Sequence, residues 1–360
     1  RWLPARVDLD GFRAQRLAPA AGGGAWALDR VGRGLAKLSG YPLRTGGISE
    51  DTGEIFHPVE PNPNPPRLRR YRNATLPADR SPVAIAASMG RRAPAALRAD
   101  EIDAIILASC TGFVMPSLDA YLMNRIGLPR TIKRMPLAQL GCVAGASALL
   151  KASDHCRAFP HARVLVVCVE LSSLCFHPEF DDLSSAVCAS IFGDGAAACV
   201  VTGAGRGATA GLQLGANLTY TEPASEHYIR YAITDRGYHL TLDRAVMHIV
   251  PRLVPMLVEL LAEQGIGRDE LAFVLAHTGG RRILDLLGRA LAVAPELLEP
   301  SRASLRERGN TASVSILDVI ARTYAGDARP GEPAPTSGRK GMLVAFGPGF
   351  TMEAAAARWL

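Results

Sequence analysis

The sequence predicts an α/β protein made of two related halves, and three observations lead to that prediction. Of the 360 residues, 48% are apolar and only 21% are charged, which is enough apolar material for a large buried core. Several apolar runs have the length and composition of buried strands, and helical patterns follow some of them. Part of the pattern of the first half also recurs in the second half.

Four apolar runs are predicted to be strands of sheets that are covered on both faces. They lack the polar alternation that a half-exposed strand would show. These runs are Ile102–Ala108, Val164–Val169, Leu271–Ala276 and Met342–Phe346.

Prolines mark the predicted irregular parts of the chain. Five prolines at 57–66 predict a loop, and a second loop is predicted at Arg329–Gly341. The apolar stretch Asp243–Gln264 is predicted to be a long helix that Pro251 and Pro255 interrupt. We expect this helix to pack in the core and in an interface rather than in a membrane.

The repeat rests on two unrelated matches at nearly the same offset. Asp100 opens one predicted strand, and Asp269 opens a similar one 169 positions later. Gly141 precedes a helix-like stretch, and Gly309 precedes a similar one 168 positions later. The two matches predict a duplicated unit with a pseudo-twofold axis, and chance similarity of strand and turn patterns is the alternative. The predicted halves are residues 1–205 and 206–360.

Charge and cysteine content narrow the classes of function. A net charge of +6 suits a ligand with phosphates, but no basic stripe with interleaved aromatic residues predicts nucleic-acid binding. The seven cysteines contain no CxxC pair, so we expect neither a disulfide framework nor a zinc cluster. Without a signal-peptide pattern or a membrane-length apolar run, the expected location is the cytoplasm.

Cys142 is the candidate nucleophile. It lies in the segment LGCVAG, at the start of the helical pattern Val143–Ala152. The glycines allow a tight turn and close approach of a substrate, and a helix N-terminus lowers a thiol pKa and offers N–H groups to an oxyanion. For a lone cysteine, the alternative is a buried structural residue.

His277 and Asn310 are the candidate partners of Cys142. His277 ends a predicted strand, where side chains of open α/β sheets point into the ligand crevice. Asn310 begins the helical stretch Thr311–Ile320, so the repeat makes it the symmetry mate of Cys142. Together, the imidazole would stabilise a thiolate, and imidazole and amide N–H groups would polarise a second thioester carbonyl. Taken singly, His277 is also explained as a core histidine and Asn310 as a helix N-cap.

Five segments that carry these residues resemble the type III polyketide synthases, the chalcone synthase superfamily. The segments are PLAQLGCVAGASALL, IFGDGAAACVV, HTGGRRILD, RGNTASVSIL and AFGPGFTMEAAAARW. Together, in this order, they are highly specific, although each alone is weak. The resemblance implies a thiolase-like αβαβα fold, a homodimer, and extension of acyl starters by malonyl-CoA without a metal or bound cofactor.

The resemblance also implies roles for residues beyond the catalytic three. Phe192 matches an aromatic gate between the CoA tunnel and the cavity, and Met115 matches a residue that closes the cavity of the partner subunit. Gly347, Pro348 and Gly349 match a loop that shapes the cyclisation cavity. Other matched cavity positions, each also explained as ordinary packing, are Ser172, Cys175, Cys188 and Ala312.

Within the family, segments such as SCTGFVMPSLDAYLMN and ELSSLCFHPEFDD resemble bacterial tetrahydroxynaphthalene and phloroglucinol synthases. Cys110 lies in the first segment, where it is expected to line the cavity as a second thiol or to be a buried strand-end cysteine. Arg69, Arg70 and Arg72 are weak candidates for contact with the CoA phosphates. The sequence leaves open whether the starter arrives on CoA or on an acyl carrier protein.

Three other classes of function are alternatives to this one. An initiating β-ketoacyl carrier-protein synthase shares the fold and performs a single condensation. A papain-like hydrolase has the same Cys, His, Asn order, but not in this setting. The glycine-rich segment 203–207 lacks the dinucleotide-binding spacing. A metal site is also conceivable, although charged loop residues are the preferred interpretation, at His177, Glu179, Asp181 and Asp182.

Overall fold

The structure is a computed structural model that describes two short segments before residue 97 and, from residue 97 onward, the chain with short gaps. The described residues are 47–48, 55–56, 97–112, 114–175, 183–206, 211–234, 237–243, 245–325 and 337–360. Two sets of candidates lie outside these ranges. They are the CoA-phosphate candidates Arg69, Arg70 and Arg72, and the metal candidates His177, Glu179, Asp181 and Asp182.

The first of two four-stranded sheets has the strand order β4-β3-β5-β6. β3 pairs in parallel with β4 and β5, and β5 pairs with β6 in antiparallel fashion. Two strands of two residues each, β1 and β2, pair in antiparallel fashion and precede this sheet in the chain. The strands are β1 (Gly47–Ile48), β2 (Ile55–Phe56), β3 (Ala104–Ala108), β4 (Lys133–Leu137), β5 (Arg163–Glu170) and β6 (Gly195–Thr202).

The second sheet has the order β10-β11-β12-β7, and a separate hairpin is formed by β8 and β9. β10 and β11 are parallel, whereas β12 is antiparallel to both of its neighbours. The strands are β7 (Leu212–Thr221), β8 (Ile229–Thr234), β9 (Gly237–Leu242), β10 (Phe273–Ala276), β11 (Lys340–Gly347) and β12 (Thr351–Trp359).

Helices cover both sheets and fill the space between them. One apolar cluster joins α2 and α7 to both sheets through residues such as Ala148, Ile316, Val166 and Leu343. α4 and α5 pack on the other face of the second sheet, and α1 packs on the other face of the first. The helices are α1 (Leu118–Ile126), α2 (Ala144–Ala158), α3 (Leu183–Ile191), α4 (Val246–Glu263), α5 (Arg281–Leu291), α6 (Glu299–Arg308) and α7 (Ser315–Ala325).

This arrangement is the predicted αβαβα layering with two related halves. In each half, one strand (β3 or β10) pairs in parallel with a second (β5 or β11), which pairs with a third (β6 or β12) in antiparallel fashion. In each half, a central helix, α2 or α7, begins just after a 3-10 turn and precedes the second strand. The fold class is thus confirmed, while the boundary at residues 205 and 206 stays a prediction.

Tertiary packing makes one helix differ from its prediction. The helix that was expected to break at Pro251 and Pro255 runs from Val246 to Glu263 through both prolines, so the predicted interruption was wrong. Its buried face, which includes Leu253 and Leu257, packs on the second sheet and offsets the lost backbone hydrogen bonds.

Strand limits also differ from the predicted runs. β11 begins at Lys340, inside the predicted loop. β3 and β10 begin two residues late, because the 3-10 turns Ala99–Glu101 and Arg268–Glu270 come just before them. Among the helices of the described residues, none combines the length and hydropathy of a membrane-crossing segment.

Candidate active site

Cys142 lies in a 3-10 turn, Gly141–Val143, that leads into α2. Gly141 has a φ of 57°, in the left-handed region that favours glycine, and a Cβ there would come within 2.8 Å of the Pro348 ring. A Cβ on Gly347 would come within 2.7 Å of the Val143 nitrogen. The turn that joins β11 to β12 therefore packs directly against the turn that carries the thiol.

Asn310 is anchored to the end of α3 and faces Cys142. Its N–H donates to the Ile191 carbonyl at 2.6 Å, and its own carbonyl accepts from the Gly193 N–H at 3.0 Å. Its Oδ1 accepts from the Ala312 N–H at 2.9 Å. Its Nδ2 lies 3.7 Å from the Sγ of Cys142. The two residues that were predicted to be symmetry mates thus meet.

His277 directly follows β10, at the edge of the second sheet where β11 also ends. Its N–H donates to the Val344 carbonyl in β11, the strand whose last residue, Gly347, packs on Val143. The next residue, Thr278, donates to the Ser315 hydroxyl at 2.8 Å, at the start of α7. The imidazole is only 2% exposed, and neither ring nitrogen has a hydrogen-bond partner among the described residues.

Burial sets the protonation of the thiol and the imidazole. It raises the pKa of Cys142 to about 12, against a smaller lowering by the hydrogen bond with Asn310. It lowers the pKa of His277 to about 3. At neutral pH the pair is therefore a thiol and a neutral imidazole, because burial outweighs the effect expected of a helix N-terminus.

A buried carboxylate lies within electrostatic range of the Cys142 thiol, and the sequence analysis assigned it no role. Glu170 ends β5 and is fully buried. It accepts hydrogen bonds from the hydroxyls of Thr111 at 2.7 Å and Ser313 at 2.5 Å, and from the thiol and N–H of Cys110. Burial raises the pKa of Glu170 despite these donors. The available signal was a charged residue at the carboxyl end of a buried run.

The cysteines of the predicted cavity gather around the same point. Burial raises the pKa of Cys110, and its proximity to Glu170, Cys142 and Cys175 raises it further. Cys188, on α3, raises the pKa of Cys142 in the same way, so it too lies within electrostatic range of the nucleophile. None of the seven cysteines, all of which lie in the described residues, forms a disulfide.

The other predicted cavity residues fall into three positions. Ser172 and Cys175 bound the 3-10 turn after β5. Phe192 is half-buried and pairs with Asn310 in an isolated parallel bridge. Ala312 is buried, with a φ of 45°, and its N–H caps the Asn310 side chain.

Met115 is at the surface of this chain. Its side chain is 95% exposed and is followed by a cis peptide bond to Pro116. Pro348 and Gly349 are half-buried in the turn after β11. The roles assigned to all of these side chains remain predictions. In the part of the chain that the structure describes, no cluster of three or more His, Cys, Asp or Glu residues could hold a metal ion.

Comparison with known proteins places this geometry in a family. The family model for the N-terminal domain of chalcone and stilbene synthases matches residues 65–206, and the model for their C-terminal domain matches residues 213–359. Neither the papain-like nor the single-condensation alternative is favoured by these matches.

Individual relatives agree. The chain is 43% identical over 265 residues to 1,3,6,8-tetrahydroxynaphthalene synthase of Streptomyces coelicolor, covering 74% of this chain and 68% of the relative. It is 41% identical over 268 residues to phloroglucinol synthase of Pseudomonas fluorescens, covering 74% of each.

The fold itself has a solved counterpart. The crystal structure of tetrahydroxynaphthalene synthase from Streptomyces coelicolor, a bacterial type III polyketide synthase, matches with a TM-score of 0.71 and 38% identity. The match covers 85% of this chain and 86% of that one. The chain therefore belongs to the chalcone and stilbene synthase family, the type III polyketide synthases, which are acyltransferases that use CoA thioesters and typically form homodimers.

Proposed function

We propose that Cys142 carries an acyl starter as a thioester, that malonyl-CoA or a related extender lengthens it, and that the product closes to an aromatic or pyrone ring. The observation that carries the catalytic assignment is the 3.7 Å contact between Cys142 Sγ and Asn310 Nδ2 at two equivalent helix starts. His277, at the same sheet edge with both nitrogens unpartnered among the described residues, completes the proposed set.

The first proposed step loads the starter. Because thiol and imidazole are both neutral at pH 7, the Cys142 proton passes to a ring nitrogen of His277 as Sγ attacks the starter carbonyl. The carbon–sulfur bond to CoA then breaks. The departing CoA thiolate takes the proton from His277 and leaves as free CoA.

The second proposed step makes the carbon nucleophile. Malonyl-CoA loses its carboxylate as CO2, and the electron pair of the broken bond moves into an enolate whose charge lies on the thioester oxygen. The Asn310 amide and the N–H of His277 donate to that oxygen, where the charge develops. The enolate carbon attacks the acyl thioester carbonyl, the carbon–sulfur bond to Sγ breaks, and the Cys142 thiolate takes a proton from solvent to restore the resting thiol. The lengthened chain remains on CoA.

The cavity is proposed to guide ring closure. Phe192 would separate the CoA tunnel from the cavity, and the turn Gly347–Gly349 would shape its wall. Met115 of a second copy would close it, which its exposure on this chain permits. Thiol and hydroxyl side chains would line it, with no metal or resident cofactor in the reaction. They are Cys110, Ser172, Cys175 and Cys188, with Ala312 beside them.

The relatives suggest the product class. Two relatives above 40% identity are named for tetrahydroxynaphthalene and phloroglucinol, which are both polyhydroxylated aromatics. We therefore expect a polyhydroxylated aromatic product here, made in the reducing cytoplasm that suits the free thiols. Delivery of the starter on CoA, rather than on a carrier protein, is part of this proposal.

The decisive experiment supplies purified protein with carboxyl-labelled malonyl-CoA, alone and with a panel of acyl-CoA starters. We expect release of labelled CO2, and mass spectrometry should find products of more than one condensation. Absence of CO2 release with every starter would contradict the proposal. Products of a single condensation would instead support the β-ketoacyl synthase activity.

A further inference from the structure

A hydrogen bond between two buried hydroxyls joins the loop of His277 to the start of α7. Thr278, the residue after His277, donates from its Oγ1 to the Oγ of Ser315 at 2.8 Å, and both residues are fully buried. The Gly279 N–H donates to the His277 carbonyl at 2.9 Å, so the backbone turns tightly around Thr278. Any movement of Thr278 would therefore move the residue that carries the imidazole.

The same serine hydroxyl also holds the residue that follows Asn310. The Thr311 N–H donates to the Oγ of Ser315 at 3.1 Å, and the Thr311 hydroxyl lies 3.2 Å from it. A hydroxyl accepts two hydrogen bonds and donates one, so Ser315 can accept from both neighbours while it donates to the Thr311 hydroxyl. Ser315 therefore joins the loop of His277 to the loop of Asn310.

The imidazole depends on such support more than the amide does. The Oδ1 of Asn310 accepts directly from the Ala312 N–H at 2.9 Å. The imidazole of His277 is buried, and neither of its nitrogens has a hydrogen-bond partner among the described residues. The direction of the ring is thus set by packing and by the backbone of its own loop, which the hydroxyl of Thr278 ties to α7.

We propose that Thr278 and Ser315 are positioning residues, whose hydroxyls fix the imidazole of His277 relative to the amide of Asn310. Both donors must face one oxygen while its charge develops, and a displacement of about 1 Å in such a site can cost about 10²-fold in rate. Thr278 and Ser315 act through their neighbours and not on the substrate. This role rests on the proposed function, because it takes the two donors to stabilise one enolate oxygen.

Two substitutions of Thr278 separate its hydroxyl from its shape. Thr278→Val keeps the branched side chain without the hydroxyl, and Thr278→Ser keeps the hydroxyl without the methyl group. Steady-state release of labelled CO2 from malonyl-CoA should show kcat about tenfold lower in the valine variant, with KM within about twofold of the parent. The serine variant should keep the kcat of the parent. An equal loss in both variants, or a larger loss in the serine variant, would indicate packing alone and overturn the role.

The repeat supplies a matched control for Ser315. Ser147 lies 168 positions earlier, near the start of α2, and its buried hydroxyl donates to Glu353 at 2.9 Å. Ser315→Ala and Ser147→Ala each remove one buried hydroxyl, so both should lower the thermal transition. Only Ser315→Ala should lower the kcat of CO2 release by about tenfold. Equal losses of kcat in the two variants would show that lost stability is the cause.

A double-variant cycle tests whether the two hydroxyls act as one unit. Thr278→Val/Ser315→Ala should lose about tenfold in kcat, as each single variant does, and not the about hundredfold loss of independent sites. Urea unfolding of the same four proteins should show the same coupling without turnover. Independent losses in kcat would overturn the role.

The parent protein separates this proposal from the proposed function. If the parent releases no CO2, the proposed function fails, and the positioning role fails with it. If the parent releases CO2 and Thr278→Val and Ser315→Ala match its kcat, the positioning role alone is overturned.

Discussion

The turns that carry Cys142 and Asn310 have the same backbone arrangement but carry side chains of different chemistry. Each begins with a glycine of positive φ, 57° at Gly141 and 74° at Gly309, and each leads through a 3-10 turn into a central helix. The amide of Asn310 is held by its own capping bond to Ala312, whereas the thiol of Cys142 is presented to that amide. The repeated backbone therefore positions both side chains, and the identity of each side chain determines its chemical role.

The largest expected effect comes from removing the thiol of Cys142 from the first of these turns. Cys142→Ala should lower polyketide formation by at least ~10³-fold, because no thioester can form. Some decarboxylation of malonyl-CoA should persist, because His277 and Asn310 remain. Product yield by mass spectrometry and CO2 release by label counting separate the two activities. Full product formation in this variant would remove the nucleophile assignment.

The next largest effect is expected on decarboxylation, when Asn310 in the second turn is changed. Asn310→Asp keeps an oxygen that accepts from the Ala312 N–H, so folding should survive, but it removes the N–H donor and adds a negative charge beside Sγ. Decarboxylation should fall by about 10²–10³-fold. Steady-state CO2 release measures it, and an unaltered thermal transition serves as the folding control. A decarboxylation rate equal to that of the parent would show that the amide does not stabilise the enolate.

A smaller effect tests whether Cys142 is a neutral thiol in the enzyme without substrate. With the pKa of Cys142 raised to about 12 and that of His277 lowered to about 3, the thiolate fraction rises with pH throughout the neutral range. The rate of iodoacetamide alkylation at Cys142 should therefore increase about tenfold per pH unit from pH 7 to 9. A rate that stays flat over that range would instead indicate a preformed thiolate–imidazolium pair. Cys142→Ala identifies the background labelling.

The smallest effect compares the two glycines themselves. Gly309→Ala places a Cβ 2.5 Å from the Ile191 carbonyl oxygen, and Gly141→Ala places one 2.8 Å from the Pro348 ring. Both should lose about 1–3 kcal/mol of unfolding free energy, with the larger loss at Gly309, where the obstacle is backbone. Urea denaturation measures this. Gly127→Ala is the control, since its φ of 71° is positive but no atom lies near its Cβ.

The internal repeat predicts part of the candidate site from the sequence. The matching offsets in the sequence are enough to pair Cys142 with Asn310, because duplicated halves place equivalent turns around one axis. Glu170 was missed as a site residue, since its donors come from Thr111 and Ser313, which are far apart in the chain. The break expected at Pro251 and Pro255 failed because the packing of α4 on the second sheet is not a local property.

The sequence by itself determined the class of fold, the duplication and the three candidate catalytic residues, because buried strands, helix starts and glycine turns leave local patterns. Only the tertiary structure decided the protonation of Cys142 and His277, since desolvation depends on what the rest of the chain places around a group.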